Sequence, residues 1–208
     1  MRCSSKATSR ATTYRGLFPT NDRFHGRIPP EDNKVILVGH SFGGICISMA
    51  MEKFPEKVRV GVFVTAYMPS PSITYQTIGQ EHINRLVSQR DNNIIFGNGQ
   101  DNPPTVFLFG KEFMTKTLAT MLMRPIGMYH DESMLNEIKV SEERWGTVCR
   151  VYIMCDEDKV LSADFQRWFI EKNPPDEVKE IKCADHMVMF CKPLELFTSL
   201  KEIASSYT

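Results

Sequence analysis

Residues Gly39-His40-Ser41-Phe42-Gly43 form a G-x-S-x-G pentapeptide, and they follow directly on the apolar run Val35-Ile36-Leu37-Val38. A serine in this setting can serve as a nucleophile. The run predicts a buried strand, then a sharp turn, then a helix from about Phe42. The serine would stand at the tip of a strained elbow with its hydroxyl exposed above the sheet edge. Gly39 and Gly43 are expected because Cβ atoms would clash in so tight a turn. The pentapeptide alone is a weak signal, and its context strengthens it. Ile45, Ile47, Met49 and Ala50 recur along 42–53, Phe54-Pro55 stops the helix, and a second apolar run covers 58–64. Strand, elbow, helix and strand make a parallel unit with a right-handed crossover.

A serine hydroxyl is a poor nucleophile at neutral pH. It needs an imidazole to take its proton and an acid to orient that imidazole. In the elbow arrangement the chain order is Ser, then Asp or Glu, then His. Each partner should stand in a loop just after a strand, at the C-terminal edge of the sheet. Asp156, Glu157 and Asp158 all meet that condition after a strand at 150–155, and the pattern does not choose among them. His186 meets it after a strand at 178–181 and before the last helix. His40 lies inside the elbow and cannot fold back onto Ser41. His25 precedes the sheet, and His82 and His130 lie in the middle of the chain.

The elements that must position these residues fall into three stretches. Residues 1–33 are polar and irregular, with Pro29-Pro30-Glu31-Asp32 before the first convincing strand. Residues 34–208 carry the domain. Within it, about 68–148 reads as an insertion rich in prolines and amides. Helical spacing is expected there over 80–90 and 112–123, with short helices at 133–139 and 141–145, a turn-rich loop at 97–104, and no sheet. Sheet returns at 150–155. A helix follows over 162–172, with Ser162 as N-cap and Phe165, Trp168 and Phe169 at helical spacing. Pro193 opens a last helix to about 205, with Leu194, Phe197, Leu200 and Ile203 as its expected core stripe.

Composition narrows the classes. A chain of 208 residues fits one domain with an inserted lobe. Formal net charge is zero, so no basic stripe advertises nucleic acid and no polybasic tail advertises a membrane surface. No apolar run approaches the ~18 residues of a membrane span. The first fifteen residues lack acids and an apolar core, which argues against a secretory signal. They resemble a plastid transit peptide only weakly, so the cytoplasm is the expected compartment and a plastid the alternative. Six cysteines, at 3, 46, 149, 155, 183 and 191, form no C-x-x-C pair. Cys46 and Cys155 read as small core residues of a reduced protein, and no zinc site is expected. The sequence leaves monomer and homodimer open.

Several separated segments match one family in order: VILVGHSFGGICISMAM at 35–51, Ala66-Tyr67-Met68-Pro69, RVYIMCDEDK at 150–159, Phe165-Gln166-Arg167-Trp168 and EIKCADHMVM at 180–189. They resemble the plant methylesterases, which include the methyl salicylate, methyl jasmonate and methyl indole-acetate esterases and polyneuridine aldehyde esterase. Hydroxynitrile lyases are a sister group. The resemblance covers about 30–206. It implies an α/β-hydrolase fold, a mostly parallel sheet with a helical cap insertion. It picks Asp158 as the acid and His186 as the base, and it implies that Tyr67 and Met187 face the acyl pocket. The Phe42 N–H would be one oxyanion donor. Family members begin with a strand and a His-Gly turn that donates the second. No such turn is found before the elbow, so N-terminal strands are expected to be missing. Cyanohydrin-cleaving members carry lysine directly after the histidine. Met187 cannot carry that charge, so the resemblance favours an esterase over a lyase. The implied activity is hydrolysis of methyl esters of small plant hormones or metabolites, with no cofactor and no metal. The alternative is a hydrolase-like protein that binds a small molecule without turnover.

Overall fold

The computed structural model describes residues 34–86, 93–99, 101–102, 106–108, 126–127 and 138–207. The irregular segment expected at 1–33, the helix expected at 112–123 and most of that at 133–139 lie outside the described residues. In chain order the elements are β1 (Val35–Ser41), α1 (Gly43–Lys53), β2 (Val58–Ala66), α2 (Tyr75–Leu86), β3 (Asn93–Ile95), β4 (Val106–Leu108), β5 (Ile126–Gly127), β6 (Cys149–Cys155), α3 (Ala163–Lys172), β7 (Glu177–Ile181), α4 (Val188–Cys191) and α5 (Pro193–Ser206).

Strands β1, β2, β6 and β7 form one parallel sheet in the order β1-β2-β6-β7. Parallel strands are covered on both faces, and β2 shows it best. Val60, Val62 and Val64 point into one core with Val151, Ile153, Ile181, Val188 and Ile203. Phe63 points into the other, with Ile45, Met51, Trp145, Tyr152, Phe165 and Phe169. A Cβ on Gly61 would meet the Met51 sulfur at 2.5 Å, so glycine lets α1 lie close on the strand. Strand β1 departs from the buried strand its composition predicts. Val38 is 49% exposed, because β1 is an edge of the sheet among the described residues.

Helix α1 is held at its end as well as along its face. The Arg144 guanidinium donates to the carbonyls of Glu52 and Lys53 at 2.6 and 2.7 Å, two of the last-turn carbonyls that a helix leaves without intrahelical partners. The Glu52 carboxylate accepts from the amides of Ser141 and Trp145. These bonds tie the stretch that enters β6 to the helix that follows the elbow.

Three expectations need correction. A three-stranded antiparallel sheet, β3-β4-β5, lies where no sheet is predicted. Its strands are two or three residues long, too short to show alternation. Helix α2 starts before residue 80, because the Thr74 hydroxyl accepts the Thr77 amide at 3.1 Å and caps its first turn. In α5 two of the four expected stripe residues pack on the core, Ile203 buried and Leu200 half-buried, joined by the half-buried Leu196. Leu194 and Phe197 are 76% and 65% exposed. The helix carries two apolar stripes at helical spacing, and the sheet takes only one. Ser162 does stand at the N-cap of α3, as expected, with its hydroxyl donating to Asp164 at 2.5 Å in place of a side-chain cap bond.

Candidate active site

Because β1, β2, β6 and β7 run parallel, their C-terminal ends share one edge, and the candidate residues collect there. Ser41 is the last residue of β1 and has φ 56°, the left-handed region that non-glycine residues rarely adopt. The chain must turn within one residue because α1 starts at Gly43. A Cβ on Gly39 would lie 2.7 Å from the Gly43 carbonyl oxygen, so Gly39 meets the steric expectation. Gly43 does not, since a Cβ there would meet nothing within 4 Å. The close approach is at Gly44, where a Cβ would lie 1.9 Å from the Tyr67 carbonyl oxygen. The Tyr67 amide in turn donates to the Ser41 carbonyl at 3.1 Å.

The structure brings Ser41, His186 and Asp158 into one hydrogen-bonded line. The Ser41 hydroxyl lies 2.9 Å from His186 Nε2. His186 Nδ1 lies 2.7 Å from Asp158 Oδ2. The ionised carboxylate only accepts, so Nδ1 carries the proton and Nε2 is left as the acceptor for the serine. Asp158 and His186 are each 4% exposed. The Asp158 Oδ1 atom accepts the amides of Val160 and Leu161 at 2.6 and 2.9 Å. Oδ2 also accepts the Thr65 hydroxyl. The two neighbouring acids do other work. Asp156 accepts the Ala184 amide at 3.3 Å, and the exposed Glu157 donates its own amide to the Ala184 carbonyl at 3.0 Å. Together they stitch the acid turn to the histidine loop.

Three other predicted residues surround this line. Phe42 is the N-cap of α1, and amides in a helix's first turn lack intrahelical acceptors. Met187 follows the histidine, half-buried, with its amide on Asp185 at 2.8 Å. Tyr67 packs edge-on against Phe42, Phe165 and Phe169. Its hydroxyl donates to His82 Nδ1 at 2.6 Å, and His82 Nε2 donates to the Val160 carbonyl at 3.1 Å. Burial pushes His82 down to about 4 and the Tyr67 hydroxyl well above its ordinary value. His82 therefore stays neutral at pH 7 and can hold both bonds. His40 Nε2 donates to the His186 carbonyl at 2.7 Å. Burial first, then the nearby His186, lowers the His40 pKa.

Among the described residues no cluster of three or more His, Cys, Asp or Glu could hold a metal. No described helix is long and apolar enough to cross a membrane.

The model of the alpha/beta hydrolase family matches residues 7–197. Methyl jasmonate esterase 1 of Vitis vinifera is 48% identical over 187 residues, covering 84% of this chain and 72% of that protein. Salicylic acid-binding protein 2 of Nicotiana tabacum is 37% identical over 190 residues, covering 85% and 72%. A variant of tomato methylketone synthase I, solved with beta-ketoheptanoate, superposes with a TM-score of 0.77 at 40% identity, covering 90% and 76%. The chain belongs to the α/β-hydrolase family. Its named relatives include several plant methylesterases and polyneuridine aldehyde esterase, and this α/β hydrolase is a carboxylic ester hydrolase.

In this α/β hydrolase the sequence pattern missed four residues around the line: Thr65, His40, His82 and Gln166. Gln166 is buried in α3 and bonds the Cys155 amide, the Cys155 carbonyl and the Leu161 carbonyl, bracketing the acid turn. Thr65 carried a faint signal, as a polar residue inside an otherwise apolar stretch that must be buried, where a polar group needs a partner. Gln166, flanked by Asp164 and Arg167 on a half-polar helix, carried none. His82 carried none, because its partners are remote in sequence.

Proposed function

We propose that the protein hydrolyses methyl esters of small plant hormones or metabolites through a Ser41-His186-Asp158 triad. The carrying observation is the line from Ser41 Oγ through His186 to Asp158, at 2.9 and 2.7 Å, with the acid deeply buried. His186 Nε2 takes the serine proton as Oγ attacks the ester carbonyl carbon. The carbonyl π electrons move onto oxygen, and the Phe42 N–H stabilises that oxyanion. Asp158 holds the imidazolium in line without taking its proton. The tetrahedral intermediate collapses, His186 returns the proton to the departing methoxide, and methanol leaves an acyl-serine. Water repeats the sequence and releases the free acid. No cofactor enters these steps.

Tyr67 and Met187 are read as walls of the acyl side. The Tyr67 hydroxyl is engaged by His82, so its ring is the part left for an apolar ligand. Met187 brings no charge to a cyanide leaving group, which supports ester hydrolysis over cyanohydrin cleavage. The names of the relatives support jasmonate-like and salicylate-like acyl groups.

The test is a fluorophosphonate probe with purified protein, followed by turnover of methyl jasmonate, methyl salicylate and methyl indole-acetate. Labelling at Ser41 together with release of a free acid is expected. Salicylate binding without labelling or turnover would replace this reading with a small-molecule-binding protein.

A further inference from the structure

Strand β2 lies between the strand that ends in the proposed nucleophile and the strand that leads to the proposed acid. Its apolar run ends at Thr65, which is fully buried and has φ 35°. A β-branched residue in the left-handed region is a backbone outlier. Glycine would adopt this conformation at far lower cost. A threonine kept there needs a reason in its side chain, and strain of this sort collects where surrounding structure enforces it at functional sites.

The surroundings do enforce it. The Thr65 hydroxyl donates to Asp158 Oδ2, the same oxygen that accepts the hydrogen bond from His186 Nδ1. The next residue, Ala66, is clamped by the Tyr152 hydroxyl, which accepts from its amide at 3.2 Å and donates to its carbonyl at 2.9 Å. The one after, Tyr67, donates its amide to Ser41 and presses its carbonyl against Gly44. Three consecutive residues therefore touch the acid, the neighbouring strand and the elbow.

From this we infer that Thr65 is a positioning residue for the triad, acting through Asp158, an inference that rests on the serine-esterase reading above. Oδ1 is fixed by the amides of Val160 and Leu161. Thr65 fixes Oδ2. With both oxygens held by the protein, the carboxylate cannot swing about its terminal bond, so its charge stays aimed at Nδ1 as the imidazolium forms. Without the hydroxyl, Oδ2 is held on that side by His186 alone, and acid and imidazole can tilt together away from Ser41. The loss falls on the chemical step, because Thr65 is fully buried and acts through the acid.

Thr65→Ala and Thr65→Ser isolate the effect, since both lack the methyl and differ only in the hydroxyl. With a p-nitrophenyl ester, Thr65→Ala should lower kcat by about tenfold or more, the scale of a lost hydrogen bond to a charged group, with KM within about twofold. Fluorophosphonate labelling of Ser41 should slow by a similar factor. The conservative Thr65→Ser variant should recover most of the rate that Thr65→Ala loses. Thr65→Val, which restores branching and volume without the hydroxyl, covers the case in which the alanine variant does not fold, and should behave like it. If either hydroxyl-free variant turns over as fast as Thr65→Ser, or if the loss is entirely in KM, the inference is overturned. Activity retained in Ser41→Ala would be a different failure, that of the serine mechanism itself.

Discussion

Ser41 shows why a single residue can be read from sequence with its geometry. An elbow serine must be strained to be exposed, and its φ of 56° sits in the region that a strand-to-helix turn demands. Removing its hydroxyl opens only a small void, so Ser41→Ala should fold as the parent does and lose nearly all esterase activity. Activity above a tenth of the parent would rule Ser41 out as the nucleophile. The acid was less legible. Three carboxylates stand in sequence after β6, and only family resemblance separates them. The physical separation lies in where each turns. The amides of Val160 and Leu161 draw Asp158 inward, while Asp156 meets Ala184 and Glu157 stays exposed. Asp158→Asn should therefore lower kcat by about 10⁴, as in serine proteases where the amide fixes the wrong tautomer. Asp156→Asn and Glu157→Gln should cost far less. Equal losses from the three changes would move the acid elsewhere.

At the scale of elements, the acid turn is positioned by side chains from helices that the local pattern cannot connect to it. Helix α3 was legible, because Phe165, Trp168 and Phe169 repeat at helical spacing, and Phe165 and Phe169 are fully buried. The duty of Gln166 between them was not, because its partners lie outside the helix, Cys155 at the end of β6 and Leu161 in the turn between. Gln166→Leu keeps the volume and strips three buried hydrogen bonds. Buried groups left unpaired cost about 1–3 kcal/mol, or roughly 2–4 °C of Tm per kcal/mol for a chain of this size. Both Tm and kcat should fall, since the released turn carries Asp158. A variant that melts lower but keeps full kcat would make Gln166 purely structural. The strands β3, β4 and β5 mark the limit of reading at this scale, since two or three residues carry no period to read.

The whole molecule is balanced in formal charge at pH 7, so overall repulsion is small there and particular buried groups set the first response to acid. The parallel character of the sheet was legible from alternating strands and helices. The packing side of α5 was legible at Leu200 and Ile203 and misread at Leu194 and Phe197, because two stripes compete and only the assembled sheet decides. The sheet, α2 and α3 together bury His82, 8% exposed, with Phe165 stacked on its ring and Arg85, His186 and Asp158 as the charged or titratable groups acting on it. Folded His82 stays neutral down to about pH 4, against an ordinary value of 6.5. Between those values the unfolded chain binds the extra proton, so stability falls as pH falls through that window. His40, also lowered by burial, adds a loss of the same sign. His82 alone accounts for something on the order of 3 kcal/mol by pH 4. Thermal melts of the parent and of His82→Gln across pH 4 to 7 would measure it. The variant should melt below the parent at pH 7, because the bonds to Tyr67 and Val160 are weakened, and the gap should narrow steadily toward pH 4. A gap that stays constant with pH would mean that His82 does not carry the acid sensitivity of this fold.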